Sequence, residues 1–349
     1  MRTIPGNSIE AEMFDNAYKN HQLYQVIIEL CNICNWKCKH CYIPKHNNYG
    51  LDTEVWIDLI RRMRSMGLLN ISFTGGEIFL RKDIFKIIEY ARSQYCSVSL
   101  LSNASCLDEE KIKKLSGLYI NNYSCSIFSM DEKIHDYITG VPGSLKTAIK
   151  NILLLKQYGI HVTVKTPIMK MNQDSYLTVK SFCEKNNIVY SMSPTIFAKS
   201  DGNMETHKLR VDSDALYKAI RESDITNAEY KKVRTFLHDY PEPCATVYTN
   251  LAINCEGDVT PCNAMYYKLG NITDTNIEDI WSKSQKLEKL RAIKKDDLDC
   301  RNCHLKPYCE RCPGLALLEN GTLTGCCDAC RLEAEMRYEV IKNQGNYLD

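Results

Sequence analysis

Between residues 24 and 196, short runs rich in β-branched and aromatic residues alternate with longer amphipathic segments. The predicted strands are 24–30, 70–74, 97–102, 122–128, 160–168 and 188–193, and the predicted helices between them are 53–66, 83–93, 108–115, 144–158 and 174–185. Repeated βα units of this length form a parallel sheet, either an open doubly wound sheet or a partial barrel. In both architectures, binding sites lie at the carboxyl ends of the strands.

A polar motif follows each of the first three predicted strands. The motifs are the cysteine triplet Cys34, Cys38 and Cys41, the turn Thr74-Gly75-Gly76-Glu77, and the pair Ser102-Asn103. Because the carboxyl ends of parallel strands meet at one edge of a sheet, we expect the three motifs to converge on one ligand.

Cysteine usage separates two broad classes of protein. The chain has 18 cysteines in 349 residues, clustered at 31–41 and 300–330, as metal sites are and as distributed disulfides usually are not. The start, Met1-Arg2-Thr3-Ile4-Pro5, lacks the apolar core of a signal peptide, and no apolar run is long enough to span a bilayer. We therefore predict metal thiolates in a reducing cytoplasm, with no membrane partner.

Length and charge add two further constraints. A chain of this length suggests two domains rather than one core. Because 44 basic residues nearly balance 43 acidic ones, nothing favours strong non-specific attraction to phosphate, and nucleic acid is not an expected partner.

Three thiolates at the spacing of the triplet can hold three irons of a 4Fe-4S cube and leave the fourth iron without a protein ligand. The alternative is a zinc knuckle with His40 or Cys31 as fourth ligand. Paired glycines let a backbone approach a ligand closely, and a carboxylate beside them can orient an ammonium group.

The triplet and the Gly-Gly-Glu turn together resemble the signature of radical S-adenosylmethionine (SAM) enzymes, and residues 24–196 resemble their core. The resemblance implies a six-stranded partial barrel in which the methionine part of SAM chelates the open iron. It also implies that the reduced cluster cleaves SAM, giving methionine and a 5′-deoxyadenosyl radical that removes a hydrogen atom from the substrate.

The resemblance implies roles for individual residues. The turn residues Gly75, Gly76 and Glu77 would line the methionine ammonium. His40 would pack against the adenine, with the backbone of Tyr42 nearby.

Four further residues are candidates for contacts with SAM. Ser102, Asn103 and Ser126 are candidates for the ribose or carboxylate, and Lys165 for the methionine carboxylate. The alternatives are ordinary pleat residues for serines on strands and a surface lysine that extends to solvent for Lys165.

A second cysteine array lies beyond residue 243. It runs Cys244-x12-Gly257-x4-Cys262, then Cys300-x2-Cys303-x5-Cys309-x2-Cys312, and ends with Cys326, Cys327 and Cys330. The paired short spacings are compatible with a zinc ribbon. The complete array resembles the SPASM extension of radical enzymes that mature peptides and proteins, which holds two auxiliary 4Fe-4S clusters.

Carried over residue by residue, the resemblance assigns Cys244, Cys262 and Cys312 to the first auxiliary cluster. It assigns Cys300, Cys303, Cys309 and a terminal cysteine to the second; we favour Cys330 as that cysteine, with Cys327 and Cys326 as alternatives. The Cys309 to Cys312 gap is one residue shorter than usual, and no cysteine between Cys183 and Cys244 completes the first cluster. That cluster therefore has either an open iron or Cys255 as its fourth ligand.

The predicted organisation is an N-terminal segment (1–23), a radical SAM partial barrel (24–200), a helical bridge (201–243) and a SPASM domain (244–349). The run from His135 to Gly140 also resembles peptide-modifying members, without the arginine that sulfatase-maturing relatives carry four residues after the histidine. The leading hypothesis is modification of a ribosomally made peptide by a crosslink, a thioether, epimerisation or oxidation. The alternatives are sulfatase-type protein oxidation, a small-molecule dehydrogenase and a non-enzymatic zinc module.

The expected partners besides the peptide concern its leader and the electron supply. The segment before Tyr24 is too short to fold as a leader-binding module, so either a separate protein would bind the leader, or the barrel and extension would recognise the substrate directly. An electron donor such as flavodoxin or ferredoxin would reduce the clusters.

Overall fold

The computed structural model describes residues 9–222 and 240–343. Helix α1 (Ile9–Lys19) precedes six strands that are parallel and adjacent in chain order. The strands are β1 (Gln25–Cys31), β2 (Asn70–Gly75), β3 (Ser97–Leu101), β4 (Asn122–Ser126), β5 (Val162–Pro167) and β6 (Val189–Ser193). Within the described residues β6 ends the sheet, so the barrel is unclosed, as predicted.

Helices fill the connections between these strands. They are α2 (Thr53–Ser65), α3 (Ile84–Ser93), α4 (Glu109–Gly117), α5 (Glu132–Thr139), α6 (Ser144–Gln157) and α7 (Tyr176–Lys185). The five predicted helices are present, whereas α1 and α5 were not predicted. Two helices, α5 and α6, therefore occupy the connection between β4 and β5.

The main apolar core lies between the strands and these helices. Val26 and Ile28 of β1 and Phe73 of β2 pack there with residues such as Trp56 and Ile60 of α2. Because successive strand residues face opposite sides of a sheet, the alternate positions face the concave side. Several of those positions are polar: Ser72, Ser99, Asn122, Ser126, Lys165 and Ser191. The inside of the partial barrel is therefore a polar surface rather than a second apolar core.

After β6 the chain forms a 3-10 turn (Glu205–Leu209) and α8 (Ser213–Arg221). The rest of the predicted bridge includes residues 223–239, which lie outside the described residues. The C-terminal elements are α9 (Thr246–Thr249), β7 (Asn250–Ile253), β8 (Asp258–Thr260), β9 (Gly270–Asn271), α10 (Ile277–Lys283), α11 (Gln285–Ala292), α12 (Pro313–Asn320) and α13 (Asp328–Asn343).

The C-terminal extension joins the sheet of the barrel. β7 pairs in parallel with β1, from Gln25 opposite Asn250 to Ile28 opposite Ile253, and β8 and β9 continue the sheet antiparallel. In the described part of the chain the strand order is β6-β5-β4-β3-β2-β1-β7-β8-β9. The two predicted domains thus share one sheet, which the sequence pattern did not indicate.

A helix that spans a bilayer needs about 20 predominantly apolar residues. Among the residues that the structure describes, no helix combines the length and the apolar character needed to cross a membrane.

Candidate functional site

The cysteine triplet lies in a loop that the end of α5 holds in place. The backbone N–H of Lys37 donates to the Thr139 carbonyl at 2.8 Å, and that of Lys39 donates to the Ile138 carbonyl at 3.0 Å. These bonds use carbonyl groups of the last helical turn, which have no partner within their own helix. The loop is therefore fixed to a regular element on the strand-end rim.

The His135–Gly140 motif builds that supporting helix. The Asp136 carboxylate accepts hydrogen bonds from the Ser144 hydroxyl and the Leu145 N–H at 2.7 and 3.1 Å, which ties α5 to the start of α6. The fully buried His135 ring packs edge-on against Trp36 of the cysteine loop. Burial lowers the pKa of His135 to about 4. The motif that resembled peptide-modifying enzymes thus has a structural role beneath the triplet.

The surroundings of the triplet suit iron thiolates. The Cys34 sulfur lies 3.4 Å from the Trp36 N–H and 3.9 Å from the Asn103 amide nitrogen. Burial raises the pKa of the Cys34 thiol to about 11, and the neighbouring Cys41 adds to this. Burial also raises the pKa of Cys38, with contributions from both other cysteines. N–H donors to sulfur and an apolar shell are the features that tune cysteine-bound clusters.

Across residues 9–222 and 240–343, no three Cys, His, Asp or Glu side chains form a group that could hold one metal ion.

The glycine pair allows the β2 turn to contact the chain that enters the cysteine loop. Gly75 has φ +134°, and a Cβ there would lie 2.2 Å from the Cys31 carbonyl oxygen. A Cβ on Gly76 would lie 2.0 Å from the Ile33 carbonyl oxygen. The Gly76 and Glu77 N–H groups donate to the same two carbonyls at 2.8 Å. No residue with a side chain fits at either position, and both glycines stay partly exposed on the rim.

Glu77 is fully buried and holds neighbouring loops together. Its carboxylate accepts hydrogen bonds from the Ser102 hydroxyl and the Asn103 N–H at 2.8 Å and from the Phe79 N–H at 3.0 Å. The Tyr123 hydroxyl donates to Ser102 at 2.7 Å. Burial raises the pKa of Glu77, and these hydrogen bonds oppose the rise. The Glu77 and Ser102 side chains are thus committed to an internal network, and their predicted contacts with SAM remain predictions.

A cavity of about 210 Å³ opens beside the triplet, at the ends of β5 and β6. His40, Tyr42 and Lys165 line it together with Ser191 and Phe197. Three residues predicted to bind SAM therefore share one cavity.

Two cavity groups have no hydrogen-bond partner among the described residues. His40 Nδ1 is buried without one, its ring packs against Phe128, and burial lowers its pKa to about 4. The Lys165 side chain is exposed to solvent, its ammonium has no acceptor among the described residues, and partial desolvation by the cavity walls lowers its pKa. Lys165 pairs in register with Ser126, so both side chains are on the concave face. Unpartnered polar groups of this kind fit a polar ligand such as SAM.

Sequence reasoning missed Glu29, which lies on the concave face of β1. The Tyr42 hydroxyl donates to its carboxylate at 2.6 Å, while the Tyr42 carbonyl accepts from the Ser200 N–H at 2.8 Å. Burial raises the pKa of Glu29. An acidic residue between the apolar residues Ile28 and Leu30 of β1 was the signal that could have identified it.

In the extension, Cys244, Cys262 and Cys312 influence one another. Burial raises the pKa of Cys262 to about 12, and Cys244 and Cys312 add to the rise. Cys255 has different neighbours: burial raises its pKa to about 12, with charge contributions from Glu256 and Glu29. It is buried in the β7–β8 turn.

The remaining cysteines form a neighbouring group. The Cys303 N–H donates to the Cys300 carbonyl at 3.0 Å. Burial raises the pKa of Cys309 to about 12, and Cys300 makes the largest charge contribution. The Cys309 sulfur lies 3.8 Å from the Cys330 carbonyl oxygen, and the Cys327 and Cys330 sulfurs lie 2.6 Å apart.

Two domain families match this chain. The Radical SAM superfamily matches residues 28–183, and SPASM, an iron-sulfur cluster-binding domain, matches residues 244–313. The two domains imply that 4Fe-4S chemistry and SAM belong to this protein.

Two curated relatives are similar over most of the chain. One is the AdoMet-dependent heme synthase of Oleidesulfovibrio alaskensis, 22% identical, with 84% of this chain and 83% of the relative aligned. The other is the sporulation killing factor maturation protein SkfB of Bacillus subtilis, 26% identical, with 75% of this chain and 65% of the relative aligned.

The fold is also that of a solved structure, Streptococcus suis SuiB bound to its precursor peptide SuiA. The TM-score is 0.69 at 17% identity, and the match covers 92% of this chain and 80% of SuiB. The domain matches, the fold and the strand-end cysteine loop agree. The chain belongs to the radical SAM superfamily and is a radical SAM enzyme with a SPASM domain.

Proposed function

We propose that this enzyme reductively cleaves SAM and removes a hydrogen atom from a ribosomally synthesised peptide, in order to install a post-translational modification. The observation that carries the proposal is the rim on which the cysteine loop, the partly exposed glycine pair and the cavity lined by His40 and Lys165 lie side by side. Metal ligands and unpartnered polar groups are thus adjacent on one surface.

The proposed roles follow from the contacts of each residue. Cys34, Cys38 and Cys41 would hold a cluster that, when bound, supplies the electron for SAM cleavage. The free ammonium of Lys165 would pair with the methionine carboxylate, while His40 would contact the adenine and use its open Nδ1. Asn103 would donate to the Cys34 thiolate. The cavity walls would exclude water from the reacting groups.

The cofactor content we propose is three 4Fe-4S clusters, one at the triplet and two in the extension. The cysteines of the extension have two sets of neighbours, which supports two cluster sites. The charges of Cys244 and Cys312 act on Cys262, and the charge of Cys300 acts on Cys309. A flavodoxin or ferredoxin would supply electrons, and either a separate protein or the barrel and extension themselves would bind the leader.

A peptide substrate is supported by two relatives. SkfB is named as the maturation protein of the sporulation killing factor, and SuiB has been solved with a precursor peptide bound. In the described part of the chain the barrel is unclosed, and its concave face carries polar side chains such as Ser126 and Lys165. A face of this kind would offer hydrogen-bonding groups to the backbone of an extended peptide.

A second candidate is a small-molecule substrate. The heme synthase relative aligns over 84% of this chain, and its named product is not a peptide. Coexpression with the short open reading frames that neighbour the gene would separate the two candidates. Mass spectrometry of each product would show a loss of two hydrogens for a crosslink and no change for epimerisation.

The enzyme activity itself is tested with anaerobically reconstituted protein. We expect about twelve irons, from three cubes of four, and release of 5′-deoxyadenosine from SAM after reduction. The Cys34→Ala variant should release none, whereas Cys96→Ala, at a buried core position, should keep the activity. Reconstituted wild-type protein that releases no 5′-deoxyadenosine would contradict the proposal.

A further inference from the structure

The cysteine loop has an inner and an outer side. On the inner side, His40 lines the cavity together with Lys165. On the outer side, Lys37 and Lys39 alternate with Cys38 along the chain, and both lysine side chains are exposed. Since SAM is proposed to occupy the cavity, an electron carrier can approach the cluster closely only from another side of the loop.

The last turn of α5 fixes the position of both lysines. The N–H groups of Lys37 and Lys39 donate to the carbonyls of Thr139 and Ile138 at 2.8 and 3.0 Å. The Lys39 ammonium lies 4.2 Å from the centre of the Tyr137 ring. That ring is 60% exposed, so the cation and the aromatic face are presented to solvent together.

A third cation extends this surface along α5. Lys133 is exposed and lies four residues before Tyr137, on the same face of the helix. In the described part of the chain, no carboxylate lies within 4.0 Å of the ammonium groups of Lys37, Lys39 and Lys133. The three positive charges therefore have no ion-pair partner there.

The acidic residues of α5 are engaged on another face. The Asp136 carboxylate accepts hydrogen bonds from the first residues of α6. Glu132 lies four residues before Asp136 and hence on the same face of α5, while Asp131 caps the helix by accepting from the Lys133 N–H. An excess of positive charge therefore remains beside the cysteine loop.

We infer that the outer surface formed by Lys37, Lys39, Lys133 and Tyr137 docks an acidic flavodoxin, which delivers the electron for SAM cleavage. The inference rests on the proposed function and names the surface that its electron donor uses. The anionic FMN hydroquinone gives up one electron, the cluster at the triplet takes it, and no proton has to move. Opposite charges on the two proteins speed their encounter and orient the complex.

Two features favour this surface and this occupant. Cys38 lies between the two lysines of the loop, so a carrier bound there is close to the cluster, and electron transfer slows steeply with distance. The exposed Tyr137 ring can pack against the flat aromatic ring system of FMN. The cluster of a ferredoxin is enclosed by its own cysteine thiolates and offers no such ring.

Binding is tested with the full-length anaerobic holoprotein and an acidic bacterial flavodoxin. Calorimetric titration with oxidised flavodoxin measures the affinity without requiring activity. The Lys37→Glu/Lys39→Glu variant should bind about tenfold more weakly at low salt, and about 0.5 M salt should remove most of this difference. Lys185→Glu, at the C-terminal end of α7 and thus at the opposite end of the barrel, should bind as the wild type does.

Electron delivery is measured as release of 5′-deoxyadenosine from SAM. With limiting flavodoxin hydroquinone as the donor, Lys37→Glu/Lys39→Glu should release it about tenfold more slowly, in line with the weaker binding. Reduced methyl viologen is a small cation that needs no docking surface. With this donor the rate of the variant should not fall, which separates docking from damage to the cluster.

Several outcomes would overturn the inference. They are an affinity of the wild type for flavodoxin that does not depend on salt, an unchanged affinity in Lys37→Glu/Lys39→Glu, and an equal loss in Lys185→Glu. If the loop variant lost iron, Lys133→Glu decides, because it lies outside the loop: binding weakened about threefold supports the surface, and unchanged binding overturns it.

Two further results concern the occupant and the proposed function. A ferredoxin that binds more tightly than flavodoxin and responds to the same substitutions would overturn flavodoxin as the occupant. If the wild type released no 5′-deoxyadenosine with methyl viologen, the proposed function would fail, whereas the calorimetric titrations would still decide whether this surface binds flavodoxin.

Discussion

The buried carboxylate of Glu77 shows what a motif predicts and what it leaves out. The Gly-Gly-Glu pattern placed an acidic residue at the strand-end rim, and the residue is there. The orientation of the Glu77 side chain depends on Ser102 and Asn103, which lie more than 20 residues further along the chain. Both donate hydrogen bonds to the Glu77 carboxylate. A buried charge is tolerated when hydrogen bonds compensate its desolvation. The spacing of residues in the sequence carries no information on that pairing.

The first prediction concerns this network. Glu77→Gln should lower the free energy of unfolding by about 1–3 kcal/mol, because the amide nitrogen cannot accept the bonds that the carboxylate accepts. Urea unfolding measures the change. Glu54→Gln is the control, since that side chain is 74% exposed and forms a surface ion pair with Lys86. Equal effects of the two substitutions would argue against the network.

Lys165 gives a prediction on cofactor affinity. Lys165→Met should weaken SAM binding about ten- to hundred-fold, because a charged hydrogen bond contributes about 1.5–3 kcal/mol and each 1.4 kcal/mol is tenfold. Calorimetric titration of SAM into reconstituted protein measures it. Lys170→Met, at an exposed position just after β5, should bind SAM as the wild type does. Unchanged affinity in Lys165→Met would remove this residue from the site.

His135 gives a pH dependence with a definite sign. Its pKa is about 4 in the folded protein against an ordinary value of 6.5, because the ring is buried. Between these values the unfolded chain takes up a proton that the folded protein does not. Stability should therefore fall as the pH is lowered from about 6.5 towards 4, by up to about 1.4 kcal/mol per pH unit, and should be unaffected by this group above 6.5.

His135→Gln keeps an acceptor for the Phe128 N–H and cannot titrate, so it should lose that pH dependence. Urea unfolding of both proteins at pH 7.5 and 5 measures the difference. His161→Gln, at an exposed histidine, should follow the wild type. Parallel pH profiles for His135→Gln and the wild type would refute the assignment.

At the scale of secondary-structure elements, the local pattern of apolar and polar residues was sufficient to predict the strands and most of the helices of the barrel. All six predicted strands and five predicted helices agree with the structure to within two residues at each end. Helix α5 was missed because it has only eight residues and its motif suggested function. The signals that mark it are local: Asp131 accepts from the Lys133 N–H at its start, and Gly140 at its end has φ +71°.

The contact between the β2 turn and the cysteine loop is tested with a pair of glycines. Gly76→Ala should destabilise the protein by about 1–3 kcal/mol and lower its iron content, because the added Cβ meets the Ile33 backbone. Gly117→Ala, in the last turn of α4 with nothing within 4 Å, should be neutral or stabilising by up to about 1 kcal/mol. Thermal melts and iron counts measure both. If Gly117→Ala destabilised the protein more than Gly76→Ala does, the β2 turn would not need a glycine at position 76.

For the whole molecule, the sequence pattern did not reveal what joins the two halves. β7 has only four residues, and its partner β1 precedes it by more than 200 positions. The grouping of the terminal cysteines depends in the same way on how α12 and α13 pack. Pairings between distant segments are set by tertiary packing, and a single sequence shows only the segments themselves.

Because the barrel and the extension share one sheet, we expect β1 and β7 to unfold together in one cooperative step. The β7 backbone is hydrogen-bonded to β1, and Leu251 and Ile253 belong to the same core as Val26 and Ile28. In hydrogen exchange of the anaerobic holoprotein, peptides covering 24–30 and 249–253 should therefore show protection within about tenfold of each other. The two-residue β9 at the edge of the sheet, Gly270–Asn271, is the internal control and should exchange faster. If 249–253 exchanged as fast as β9 while 24–30 stayed protected, the extension would be opening alone, and the continuous sheet would not be a single cooperative unit.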